Sequence, residues 1–82
     1  MKEIRIDGVI GTGEDEVSAA WVKSQMPTTG EPIRVSFHTE GGSVFEGFAI
    51  HDIFASYAGP KVAAVESTAF SIGSYIITAF DD

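Results

Sequence analysis

The chain has 82 residues, with 5 Lys or Arg against 12 Asp or Glu and a formal net charge of −7. That balance supplies no basic stripe to track a phosphate backbone, which argues against a nucleic-acid partner. The absence of cysteine removes both a disulfide framework and a thiolate metal site.

No apolar run approaches the length of a membrane span, and the opening "MKEIRIDG" lacks the apolar centre of a secretion signal. The expectation is a cytoplasmic protein forming one domain at most, over residues 1–82, with no membrane contact. A chain of this size buries only about 60% of its unfolded surface. Its 44% hydrophobic content, with six Phe, therefore points to apolar surface covered by other subunits.

Alternation in "EIRIDGVI" at Ile4, Ile6 and Val9–Ile10 predicts a first strand, broken by "GTGED". Residues 14–26, "EDEVSAAWVKSQM", carry Val17, Ala20 and Trp21 at helical spacing behind an acidic first turn. After the loop "PTTGEP", the segment "IRVSFHT" predicts a second strand with Ile33, Val35 and Phe37 on one face. A glycine turn, "EGGS", leads into a helix with Ile50, Ile53, Phe54 and Tyr57 on one stripe. Phe45 and Phe48 fall off that stripe, which suggests burial on a second side. "KVAAVES" predicts a third strand, and residues 72–80 a third helix.

The order β-α-β-α-β-α, with connections too long for hairpins, implies parallel strands, right-handed crossovers and an α/β layer architecture. Sites in such sheets lie beyond the carboxyl ends of the strands. Those ends are "GTGED", "HTEGGS" and "STAFS". In the first, Gly11-Thr12-Gly13 imitates a dinucleotide loop, but Glu16 stands where the third glycine belongs. Three carboxylates then sit where a pyrophosphate needs positive potential, so the segment reads as a turn and helix cap.

In the second, Gly41 and Gly42 suit either a tight strand-to-helix turn or a cradle of bare N–H groups for an oxyanion. In the third, "TAFSIGS" has the shape of a nucleophile elbow, although Ala69 replaces the first glycine of the strict pattern. Ser71 there is either a nucleophile or a plain helix cap, with the Ile72 N–H close to its Oγ. A glycine pair and a serine elbow on neighbouring parallel strands would set one nucleophile between two sources of backbone N–H.

The segments "EGGSVFEGFAIHDIFASYAG" and "VAAVESTAFSIGSYIITAFDD", with "IDGVIG" near the start, resemble the proteolytic subunit of the Clp protease (ClpP) and its phage prohead-maturation relatives. The resemblance implies a ClpP/crotonase-like fold, of which residues 1–82 are the N-terminal part. It also implies serine-type cleavage of peptide bonds, with Ser71 as nucleophile and Gly42 and Ile72 as oxyanion-hole N–H donors. Peptide or protein substrates and a homo-oligomer follow from the same source. No cofactor or metal is implied, and an ATPase partner is left unspecified.

The family's His and Asp lie downstream of the helix that follows the serine, so the chain by itself is expected to be inactive. Two features depart from the family pattern. Glu40 stands in place of a proline, where its charge would oppose an oxyanion unless it points into solvent, and His38 stands at an Asn-like position. His38 could substitute as base only if its side chain points toward Ser71, and His51, on the second helix, is expected at the surface or an interface. Two other readings are a catalytically dead, oligomerising remnant and a crotonase-like acyl-CoA-binding protein.

Overall fold

A computed structural model describes residues 1–65 and 72–80. The elements run β1 (Lys2–Asp7), α1 (Ala19–Gln25), β2 (Ile33–His38), α2 (Val44–Ala55), β3 (Lys61–Val65) and α3 (Ile72–Ile77). The strands form one parallel sheet in the order β1-β2-β3, with Ile4 level with Val35, Ile6 with Phe37, and Val35 with Ala63. This is the α/β arrangement expected from the element order.

Period-2 patterning decides which face of the sheet is covered. Ile4 and Ile6 of β1 and Ile33, Val35 and Phe37 of β2 share one buried cluster with Val22 of α1, Ile50 and Phe54 of α2, and Ile72 and Ile76 of α3. All three helices thus cover the same face, which right-handed crossovers between neighbouring strands require of α1 and α2. The opposite face carries Glu3, Arg5, Asp7, Arg34 and His38, all exposed. Arg34 meets Glu3 at 3.3 Å there, an exposed pair worth at most about 1 kcal/mol.

The structure differs from the sequence expectations at several boundaries. α1 begins at Ala19 rather than Glu14, because Val17 is held by backbone bonds to the preceding loop instead. Its N–H donates to Val9 C=O at 2.8 Å, and its C=O accepts from Gly11 N–H at 2.9 Å. The acidic run is a turn closed by the Gly13 N–H donating to Glu16 Oε1 at 2.9 Å, and the helix cap is Ser18, whose Oγ accepts from Trp21 N–H. Ala20 and Trp21 face solvent, and Val22 is the residue α1 buries.

β1 stops at Asp7, and the chain turns at Gly8 before Ile10 re-pairs with both Val17 and Gly42. α3 ends at Ile77, and a tighter turn then carries Phe80 into the core. α2 buries Ile50 and Phe54 as its stripe predicts, and Gly47 continues that same stripe; the second side expected from Phe45 and Phe48 is not buried, and Phe45 is 83% exposed. Phe48 is half-exposed and meets Tyr75 edge-on, with ring centroids 5.3 Å apart. No helix among the described residues is long and apolar enough to cross a membrane.

Candidate active site

The carboxyl end of β2 runs through Thr39, Glu40, Gly41 and Gly42 into Ser43, the cap of α2, whose Oγ accepts from Glu46 N–H at 3.2 Å. Ser and Asp-like caps satisfy the bare N–H groups of a first turn, and this one fixes where α2 starts. Glu46 does a second job, because its Oε1 accepts from Ala19 N–H at 2.9 Å and ties the start of α1 to the start of α2. Its carboxylate sits at both positive helix ends, the placement the helix dipole favours.

Between strand and cap, Gly41 and Gly42 take φ of 109° and 145°. Three backbone groups around them are occupied. Gly41 N–H donates to Thr39 Oγ1 at 3.1 Å, Gly41 C=O accepts from Ile10 N–H at 3.0 Å, and Ser43 N–H donates to Ile10 C=O at 2.8 Å. Among the described residues no acceptor takes the Gly42 N–H, and Gly42 is exposed. Such an N–H, at the end of a parallel strand and the start of a helix, suits a developing negative charge.

Ile72 opens α3, so its N–H has no acceptor within its own helix. Its side chain is buried directly over Gly47, where an added Cβ would come within 2.0 Å of Ile72 Cγ1. The absence of a side chain at Gly47 is therefore what lets α3 begin against the first turns of α2. Ser71 lies outside the described residues, as do Ala69 and the rest of the elbow from Glu66.

The strand parity of His38 is now fixed. It follows Phe37, is level with Asp7 of β1, and lies on the exposed face, opposite the face on which α3 packs. His51 is in the middle of α2, stacked on Tyr75 with ring centroids 4.4 Å apart, and its Nδ1 lies 3.4 Å from Asp52 Oδ1. Neither histidine shares a strand end with Gly42 on the helix side. Glu40 is exposed.

Sequence reasoning passed over Thr39, Ile10 and Glu46. Thr39 had a usable signal, since a hydroxyl two residues before a glycine is the pattern of a side-chain turn. Ile10 acts through its backbone, which no residue type announces.

A groove of about 400 Å³ between α1 and α2 is lined by Lys23, Met26, Asp52, Ile53, Ser56 and Tyr57. These residues belong to the last turns of both helices, at the opposite end of the sheet from Gly42. No group of His, Asp or Glu among the described residues is arranged to hold a metal ion.

Solved structures that the fold matches include ClpP1 from Listeria monocytogenes and a single-residue mutant of it. Each match has a TM-score of 0.83 and 24% identity, over 96% of this chain and 46% of the other. The chain thus spans just under half the length of those proteins. No curated protein matches it. The family model of the Clp protease, however, matches residues 8–82, and on that match the chain belongs to the Clp protease family.

Proposed function

We propose that this chain carries half of a serine peptidase site of the Clp type, with Ser71 as nucleophile and the N–H groups of Gly42 and Ile72 as oxyanion donors. The observation that carries the reading is the Gly42 N–H, left open while the N–H and C=O of Gly41 and the N–H of Ser43 are all occupied. In the proposed reaction Ser71 Oγ adds to the carbonyl carbon of a peptide bond while its proton passes to a base. The carbonyl oxygen, now negative, takes hydrogen bonds from Gly42 and Ile72. The amine leaves with the proton, and water hydrolyses the acyl-enzyme by the same route.

The base and the carboxylate that orients it come from residues other than His38 and His51. His38 lies on the far face of the sheet, and His51 is engaged with Tyr75 and Asp52. Residues 1–82 alone are therefore expected to react with a fluorophosphonate at least about a thousandfold more slowly than a complete triad. A longer protein that adds a downstream His and Asp to this chain is expected to label stoichiometrically, and Ser71→Ala to abolish the label. Full labelling of residues 1–82 alone would overturn the claim about the base. A folded, longer protein with downstream His and Asp that never labels would overturn the peptidase reading.

The partners proposed are a peptide or protein substrate and further copies of the chain. Support for self-association comes from Val44, Phe45, Phe48 and Tyr75, which expose large apolar side chains on the outer side of α2 and α3. Light scattering is expected to show a species heavier than the monomer, shifted toward the monomer by Phe45→Glu. A monodisperse monomer at high concentration contradicts this.

A further inference from the structure

We propose that Thr39 is a positioning residue whose buried hydroxyl holds the Gly41–Gly42 turn so that the Gly42 N–H faces outward; its catalytic consequence rests on reading Gly42 as an oxyanion donor. A trans peptide sets its C=O and N–H in opposite directions. Gly41 C=O accepts from Ile10 N–H, so the Gly42 N–H of the same peptide points away from Ile10. One hydrogen bond does not fix that plane, because two successive glycines have no side chains to limit rotation.

The neighbouring planes must be pinned, and they are. On the far side, Ser43 N–H donates to Ile10 C=O. On the near side the pin is Thr39, whose Oγ1 accepts from Gly41 N–H at 3.1 Å and donates to Gly8 C=O at 2.5 Å. Thr39 is 3% exposed, so water does not compete for either bond. Through this hydroxyl the end of β1 and the turn after β2 are held as one piece. Glu40, between Thr39 and Gly41, is exposed, so no burial of its own side chain pins that stretch.

The test combines amide hydrogen exchange with acylation of Ser71. In the wild-type chain the Gly41 amide should exchange slowly and the Gly42 amide near its free rate. Thr39→Val keeps the shape and removes the hydroxyl. It should speed Gly41 exchange about tenfold, the equivalent of one hydrogen bond, while the β2 amides of Val35 and Phe37 keep their protection. Thr39→Ser should restore the wild-type rate.

In the longer protein that labels with fluorophosphonate, Thr39→Val should slow acylation by a similar factor and Thr39→Ser should not. Gly41 exchanging as freely as Gly42 in the wild type overturns the proposal without any variant. So does unchanged Gly41 exchange in a folded Thr39→Val protein, or rapid acylation by it. If Gly41 responds as expected but no form of the protein labels, Thr39 stands as the pin of the turn and the peptidase reading is what fails.

Discussion

Gly42→Ala is expected to lower the unfolding free energy by about 3 kcal/mol and to abolish acylation of Ser71. A Cβ at Gly42 would lie 2.2 Å from Ile10 O, 2.9 Å from Ile10 N and 3.0 Å from Ile10 C. All three atoms are backbone, so no side-chain rotation relieves the overlap. The φ of 145° adds strain of its own for any residue with a Cβ. The turn has to move away from Ile10, and the bonds from Ile10 N–H to Gly41 C=O and from Ser43 N–H to Ile10 C=O go with it.

Those are the bonds that direct the Gly42 N–H, so stability and acylation fall together. Gly30→Ala separates the two contributions, because Gly30 has φ of 76° but nothing within 4 Å of an added Cβ. It should lose only about 1 kcal/mol, from backbone strain alone. Urea denaturation of the wild type and both variants measures this. Equal losses in the two variants would mean that Ile10 does not press on Gly42.

What could be read from the sequence follows from the range of the interactions that decide each element. β2 was legible because its pattern is local: Ile33, Val35 and Phe37 alternate, and burying that face fixes the strand's register and facing together. α1 was misplaced because Val17 takes partners in the preceding loop that do not fit a helical register. The bonds of Val17 to Val9 and Gly11 outweigh a weak helical preference and leave the acidic run as a turn.

The outer face of α2 illustrates the same limit. Spacing places Phe45 and Phe48 off the core stripe, but only packing reveals that this second side stays open while Gly47, on the core stripe, lies under Ile72. The glycine pair was legible as a turn because Gly41 and Gly42 do adopt φ values suited to residues without a Cβ. Its second role depends on which N–H stays open, and that is decided by Ile10 and Thr39, one from another strand's extension and one from a buried hydroxyl.

Phe37→Ala is expected to be the most damaging core substitution considered, with a loss of about 4 kcal/mol. A domain of this length has roughly 4–12 kcal/mol of stability in all, so the variant keeps roughly 0–8 kcal/mol, with the low end being half unfolded at 25 °C. Phe37 is fully buried and meets two other rings edge-on: Phe54 with centroids 6.5 Å apart, and Phe80 with centroids 5.7 Å apart. Phe54 and Phe80 also touch each other, at 4.9 Å, so the three rings join β2, α2 and the turn after α3.

Phe37→Leu keeps most of the volume and should lose about 1 kcal/mol, while Val9→Ala, at a 52% exposed side chain, should stay within about 0.5 kcal/mol of wild type. Denaturant midpoints decide the order, and equal losses for Phe37→Ala and Val9→Ala would refute the core assignment. The trio has a further consequence for the proposed site. Phe37 stands two residues before Thr39, and Phe80 follows the helix that Ile72 begins. A cavity between those rings would loosen the segment carrying the Gly42 N–H from the one carrying the Ile72 N–H. Double substitution of Phe37 and Phe80 by Ala should therefore lose less than the sum of the single losses, because each alone already breaks the shared contact. Strict additivity would show that the two segments are held together by something other than these rings.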